Sequence, residues 1–329
     1  MTTFTAFVVD NQHGEFQRGV VKQTLEQLPE GEVTIQVAYS SVNYKDGLAA
    51  VPDSKIVKTY PFIPGIDLAG IVEASSDARF KPGDQVLVTG YGLGVSHPGG
   101  FSQYARVPAD WIVPLPHGMT LRQAMQYGTA GFTAALAVDR LQHLGVQPQN
   151  GPVLVTGATG GVGSLAVAML AAHGYEVAAS TGKSDEHHYL RTLGAVHVLD
   201  RAAVAPSSPA TLGKQRWAGA VDTVGSSTLA HVISTVRYGG AVAACGLAGG
   251  SELPLTVYPF ILRGVSLLGI DSVACAMETR LAIWSRLAAD RKLGAALDEV
   301  TEEIALDQLP ERLDAILQGR LRGRTIVKL

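Results

Sequence analysis

The run Val153-Leu154-Val155-Thr156-Gly157-Ala158-Thr159-Gly160-Gly161-Val162-Gly163 constrains this chain more than any other segment. It reads as a buried strand entering a glycine-rich turn and then a helix. A pyrophosphate needs backbone N–H groups at close range, and glycines let the chain turn sharply and approach without a Cβ in the way. The N-terminus of the following helix adds a positive partial charge. The spacing is Gly-x-x-Gly-x-x-Gly, where Gly-x-Gly-x-x-Gly is commoner, and a glycine triplet alone fits a plain turn as well as a nucleotide loop. The strand-turn-helix setting favours the nucleotide, with Thr159, Gly160, Gly161, Val162 and Gly163 as the candidate contacts.

Which dinucleotide is bound depends on the tip of the next strand, where a carboxylate suits an NAD ribose and basic or small polar groups suit a 2′-phosphate. Here the strand ends Ser180-Thr181-Gly182-Lys183, with no carboxylate at the tip. Hydroxyl donors and a lysine favour NADPH. Arg201, just beyond the third strand, is a possible second cation or a plain surface charge.

Around this unit the sequence texture divides the chain. Before about residue 120, short β-type runs at 3–9, 32–40, 70–74, 85–89 and 101–107 alternate with Pro/Gly turns. This part reads as all-β. Residues 121–144 carry helix-period apolar positions, and strands and helices then alternate: strands at 153–156, 176–180, 195–199, 220–224, 241–245 and 266–270, with helices at 161–173 and 185–193. Such alternation predicts a doubly wound parallel sheet. Helices near 278–290 and 309–318 and a strand at 325–329 follow, and the Ala-Pro-Ser stretch at 202–210 reads as a loop.

Composition narrows the function. Lys plus Arg number 26 against 29 for Asp plus Glu, so the chain lacks the basic excess of a nucleic-acid binder. No signal-type N-terminus and no run of about 18 apolar residues is found, and a cytoplasmic protein without membrane attachment is expected. Cys245 and Cys275 are the only cysteines, too few for a disulfide framework or a four-thiolate zinc site.

Seven segments together resemble the zinc-free quinone oxidoreductase branch of the medium-chain dehydrogenase/reductases, and within it the NADPH-dependent acryloyl-CoA reductase group. They are the glycine loop, Ser41–Asp46, Pro64–Gly70, Gly128–Ala134, Val221–Gly225, Ala244–Gly250 and Pro259–Arg263. The resemblance implies an α/β chain in which a GroES-like β-rich catalytic domain (1–122 and 268–329) carries an inserted Rossmann domain (123–267). It also implies a homodimer. Zinc enzymes of this superfamily place a Cys-His pair and a Gly-His-Glu segment where this chain has Asn43-Tyr44 and Gly65-Ile66-Asp67, and isoleucine cannot coordinate zinc. No metal is expected. His97, in a Pro/Gly turn, and the pair His187-His188 read as surface or turn residues.

Hydride addition to the β-carbon of an activated alkene needs only a polarised acceptor, so conjugated carbonyls are the expected substrates. By resemblance Tyr44 is the candidate for polarising substrate or delivering a proton, or else a residue that packs over the cofactor. Asn43 is a candidate for the nicotinamide ribose, and Val224, Cys245, Gly246, Leu247, Ile270 and Asp271 match segments that border the nicotinamide. Arg324 is a further candidate for the cofactor or a CoA phosphate, while Asp46 and Asp67 read as structural acceptors for loop N–H groups. Three functions stay open: reduction of acryloyl-CoA to propanoyl-CoA, reduction of quinones or alkyl enones by the same fold, and NADPH binding without catalysis as a sensor.

Overall fold

Alternating side chains of the strand Val33–Ser41 bury Val33, Ile35 and Val37, and its β-branched residues favour the extended backbone. In the computed structural model, which describes residues 2–12, 14–206 and 210–329, this strand is the centre of a seven-stranded sheet. The order across that sheet is Thr301–Ala305, Arg324–Lys328, Val33–Ser41, Asp67–Ser75, Gln85–Thr89 and Val113–Pro114, with Tyr104–Val107 also pairing to Val33–Ser41. A separate antiparallel hairpin joins Thr3–Asp10 to Gln17–Thr24. The second hairpin strand was not expected: QRGVVKQT is largely exposed and lacks the alternation that marks a half-buried strand.

The second sheet is the predicted parallel one. Its six strands run in the order His197–Asp200, Val177–Thr181, Val153–Val155, Trp217–Asp222, Val236–Ala244 and Ser266–Gly269. Numbered along the chain this is the 3-2-1-4-5-6 order of a doubly wound dinucleotide-binding fold. Leu154, Ala178, Ala220 and Val242 from four neighbouring strands share one core with Val232 and Ile233 of the helix Ser226–Thr235.

Compactness divides the chain at Thr129/Ala130 and Ser272/Val273, and it assigns Arg291–Val300 to the unit of the parallel sheet. The expected boundaries at 122/123 and 267/268 shift accordingly, and residues 291–300 do not join the return segment. Their helix, Gly294–Val300, is preceded by Lys292, whose ammonium donates to the Ala172 carbonyl at 3.3 Å, at the end of the helix Gly161–Ala172. The loop expected at 202–210 includes 207–209, which lie outside the described residues.

The helix Leu121–His143 is also interrupted. Gly128 adopts φ 51° and ψ −158° inside it, a conformation that disfavours any residue with a side chain. A Cβ there would stand 2.6 Å from an oxygen of Asp67 and from a nitrogen of Arg324. The helix-period apolar positions on either side hide this break. Among the described residues, no helix is long and apolar enough to cross a membrane.

Candidate active site

In the first unit, polar residues gather where Val33–Ser41 ends and the short helix Tyr44–Ala49 begins. Asn43 is extended at φ −126° and ψ 160°, and the Asp46 side chain reaches back to accept its N–H at 2.8 Å. The other Asp46 oxygen accepts the N–H of Ile66 at 2.9 Å. One carboxyl group therefore fastens the start of the helix to the segment that enters the next strand.

Asp67 is the hub of the cluster. It accepts from Ser41 Oγ at 2.5 Å, Asn43 Nδ2 at 2.7 Å, Thr129 N–H at 2.9 Å and Thr129 Oγ1 at 2.5 Å. The break at Gly128 is what turns the Thr129 N–H toward it. Arg324 adds the opposite charge at 3.8 Å. Its guanidinium donates to the carbonyls of Gln126 (3.2 Å) and Val42 (3.1 Å), to Asn43 Oδ1 (3.2 Å) and to Ser41 Oγ (2.7 Å).

The structural reading of Asp46 and Asp67 fits these bonds, although three of the four donors to Asp67 are side chains. Arg324 departs from the expected cofactor or CoA contact. It is 2% exposed and turned inward onto residues 41–43, so it supports Asn43 from behind. Tyr44, by contrast, is 51% exposed at the first helical position.

Burial and the neighbouring Asp67 charge push Asp46 up to about 7, against the pull of its hydrogen bonds from Asn43 and Ile66. Burial also lowers the Arg324 pKa, with Asp67 and Asp46 pulling the other way. Ile66 is buried and apolar where the zinc enzymes carry a ligand, and among the described residues no three His, Cys, Asp or Glu side chains gather to hold a metal. His97 packs edge-on against Trp111 with ring centroids 5.2 Å apart, and His187 lies 3.5 Å from Asp200.

In the second unit the materials differ. Gly157 takes φ 56°, and a Cβ on Gly163 would collide with the Gly157 carbonyl oxygen, so only glycines permit this turn. The helix Gly161–Ala172 starts immediately after, and the first N–H groups of a helix have no intrahelical partner. Such a cradle fits a pyrophosphate. Thr159 Oγ1 lies 3.2 Å from Thr181 Oγ1, which joins the turn to the strand Val177–Thr181.

Beyond the tip, Arg201 lies directly over Gly182. A Cβ on Gly182 would fall 2.7 Å from the guanidinium carbon, so the missing side chain is what admits the cation. Ser180 and Thr181 are buried at the strand end, and Lys183 donates its N–H to Thr181 Oγ1 at 3.1 Å. The tip thus carries two cations and hydroxyls, the chemistry a 2′-phosphate requires.

The remaining candidates line the C-terminal edge of the same sheet, where doubly wound folds bind ligands. Asp222 is fully buried and accepts from Thr156 Oγ1 at 2.6 Å and from Gly225 N–H at 2.7 Å, and burial raises its pKa. Its carbonyl takes the Cys245 N–H at 2.9 Å, and Val224 takes the Gly249 N–H at 2.7 Å. A side chain on Gly246 would strike the Thr223 carbonyl. Leu247 is 66% exposed, Asp271 is exposed, and the Ile270 N–H donates to Ala244 at 3.0 Å. Thr156 and Asp222 went unsingled in the sequence, although Thr156 stands in the glycine run and Asp222 in a matching segment.

Residues 29–117 match the model of the alcohol dehydrogenase GroES-like domain, and residues 161–288 match that of the zinc-binding dehydrogenase domain. Acrylyl-CoA reductase AcuI of Ruegeria pomeroyi is 51% identical over 326 residues, covering 98% of each chain. A Bacillus subtilis relative, provisionally named quinone oxidoreductase YhfP, is 52% identical over 328 residues, covering 100% of this chain and 99% of its own. Its structure with NAD bound superposes with a TM-score of 0.96, at 51% identity and full coverage of both chains (100%). The yhdH oxidoreductase of Salmonella enterica, solved in complex with NADP, also gives a TM-score of 0.96, at 49% identity over 99% of each chain.

Proposed function

The chain belongs to the medium-chain dehydrogenase/reductase family, in its quinone oxidoreductase branch, and from that membership we propose that it reduces acryloyl-CoA to propanoyl-CoA with NADPH. The observation that carries this reading is the identity of 51% along nearly the whole length of an acrylyl-CoA reductase. The strand tip supports the cofactor choice: Arg201 over Gly182, with Lys183 beside it and no carboxylate, suits a 2′-phosphate.

When bound, the reduced nicotinamide supplies a hydride to Cβ of the alkene. The residues of this chain do the rest. Thr159 to Gly163 hold the pyrophosphate, Ser180 to Lys183 and Arg201 hold the 2′-phosphate end, and Val224, Cys245 to Leu247, Ile270 and Asp271 border the nicotinamide. Asn43, fixed by Asp67 and Arg324, orients the ribose. The exposed Tyr44 phenol hydrogen-bonds the thioester oxygen as negative charge grows on it, and Cα takes its proton from that phenol, which solvent water reprotonates.

The test follows NADPH absorbance on addition of acryloyl-CoA, with NADH in parallel. Acryloyl-CoA-dependent oxidation that is faster with NADPH is the expected result. The name of the Bacillus relative favours the quinone or alkyl-enone reading, and faster turnover of those substrates would establish it instead. Binding of NADPH without turnover of any activated alkene would point to a sensor.

The homodimer is proposed on the sheet edge. Ser266–Gly269 is an edge strand of the parallel sheet, with Leu267 37% exposed, and the same unit exposes Ile261 at 68% and Leu262 at 56%. An edge strand flanked by exposed apolar side chains suits pairing with a second copy. Light scattering should give twice the chain mass, and Leu267→Lys should shift it toward the monomer.

A further inference from the structure

In the parallel sheet the strand Trp217–Asp222 lies between Val153–Val155 and Val236–Ala244, so the residue that follows it stands between the two segments that leave its neighbours. That residue is Thr223. On one side is the glycine turn that opens after Val155, and on the other the segment from Cys245 to Leu247 that continues from Ala244. All of them belong to the same compact unit.

Thr223 touches both segments. Its hydroxyl donates to the Thr156 carbonyl at 3.0 Å, and its N–H donates to Thr156 Oγ1 at 3.2 Å. The same hydroxyl lies against Gly157, where a Cβ would collide with Thr223 Oγ1. On the far side, a Cβ on Gly246 would fall 2.9 Å from Thr223 Cα and 2.8 Å from its carbonyl carbon. The chain closes down on Thr223 from two directions, and at each contact the neighbour is a glycine.

The sheet does not depend on this hydroxyl. Val153–Val155 is already in register with 219–221, the Thr156 N–H donates to the Val221 carbonyl at 3.0 Å, and Asp222 takes both Thr156 Oγ1 and the Gly225 N–H. Thr223 lies past the end of that register and is only half-buried, so its side chain adds little to the core. What the hydroxyl adds is a fixed distance between the glycine turn and the segment 245–247.

We infer that Thr223 is a positioning residue, setting the span between the segment that holds the pyrophosphate and the segment that borders the nicotinamide, so that both halves of the dinucleotide seat together. The inference rests on the assignment of those two segments in the cofactor reading above. Pyrophosphate and nicotinamide are joined through one ribose, a link of limited reach. Where two subsites are spaced to that reach, binding one half raises the effective concentration of the other; a mis-set span loses this gain and leaves each subsite intact.

The experiment measures Kd for NADPH and for 2′-phospho-ADP-ribose, which lacks the nicotinamide, in the wild type, Thr223→Val, Thr223→Ala and Thr223→Ser. The wild type should bind NADPH more tightly than the fragment. Thr223→Val keeps the shape and removes the donor. It should lower the ratio of fragment Kd to NADPH Kd roughly five- to tenfold, the scale of one hydrogen bond, with the fragment's own Kd nearly unchanged. Thr223→Ser keeps the donor and should hold the wild-type ratio. Thr223→Ala, with no side-chain atom left against Gly157, should lower the ratio in the same direction and carries the test if Thr223→Val does not fold.

An unchanged ratio in both Thr223→Val and Thr223→Ala overturns the inference. So does an equal loss for the two ligands, which would make the hydroxyl a support of the glycine turn alone. A fall in Thr223→Ser as large as in Thr223→Val also overturns it, because the donor would then not be what matters. If the wild type binds the fragment as tightly as NADPH, the segment 245–247 does not meet the nicotinamide; the cofactor reading of that segment fails at this first step, and the inference falls with it.

Discussion

Asp67 and Asp222 are both completely buried aspartates next to candidate ligand-binding segments, yet their surroundings differ. Asp67 sits among charged and amide groups, with Arg324 at 3.8 Å and the Asp46 carboxyl as a neighbour. Asp222 has one hydroxyl and the backbone N–H groups of Gly225 and Val224, and no ion pair is found with it among the described residues. The first unit buries side chains to hold other side chains at set positions. The second builds its candidate site from glycines and the backbone N–H groups they leave uncovered, and its aspartate only fastens two turns. A buried charge is costly unless paired, so the first arrangement is the more fragile of the two.

Removing each carboxylate is the most direct way to break that comparison. Asp67→Ala leaves Arg324 buried without its opposite charge and should cost about 3–5 kcal/mol of stability in urea unfolding. Asp222→Ala strips the acceptor from Thr156 and Gly225 but strands no charge, and should cost about 1–3 kcal/mol. Equal losses would mean that the ion pair contributes nothing beyond its hydrogen bonds.

The next effect is on binding and belongs to the second unit alone. Arg201→Ala should weaken NADPH roughly tenfold in a fluorescence titration, the scale of one exposed charge-assisted contact, and leave NADH unchanged. An equal loss for both cofactors would place Arg201 away from the 2′-phosphate.

The last effect concerns pH. Asp46 is raised from 3.8 to about 7, so between those values the folded protein keeps a proton that the unfolded chain has released. The Asp46 contribution therefore favours folding most below about pH 4 and declines as pH rises to 7. Asp46→Asn should flatten stability against pH across that window, and a slope equal to the wild type's would show that Asp46 is ionised throughout.

The same contrast explains what the sequence disclosed. A backbone site announces itself, because glycine at fixed spacing after a buried strand has few other uses, and the strand-turn-helix at 153–163 was legible without any structure. The parallel strands were legible for the same reason: apolar runs such as Val153–Val155 are short and sharply bounded. A side-chain site built across the chain has no such local mark. The bond from Arg324 to Ser41 spans 283 positions, and no window of sequence contains both. Arg324 therefore read as a ligand contact when it is an internal support. Gly128 was invisible as a break because helix-period apolar positions continue on both sides. The polar strand Gln17–Thr24 escaped for lack of an apolar face.

The separation between Ser41 and Arg324 has a further consequence, for synthesis. Every residue of the parallel-sheet unit is translated between them, so a ribosome has made that whole unit before the guanidinium that balances Asp67 exists. Until then the first unit's nascent sheet lacks the strand Arg324–Lys328, and Asp67 waits without its cation. Long-range closure of this kind is slow and leaves strand edges open meanwhile. Misfolding during translation should thus begin in the unit whose sequence is made first and completed last, while the nucleotide unit, made without interruption over most of its length, is free to fold early.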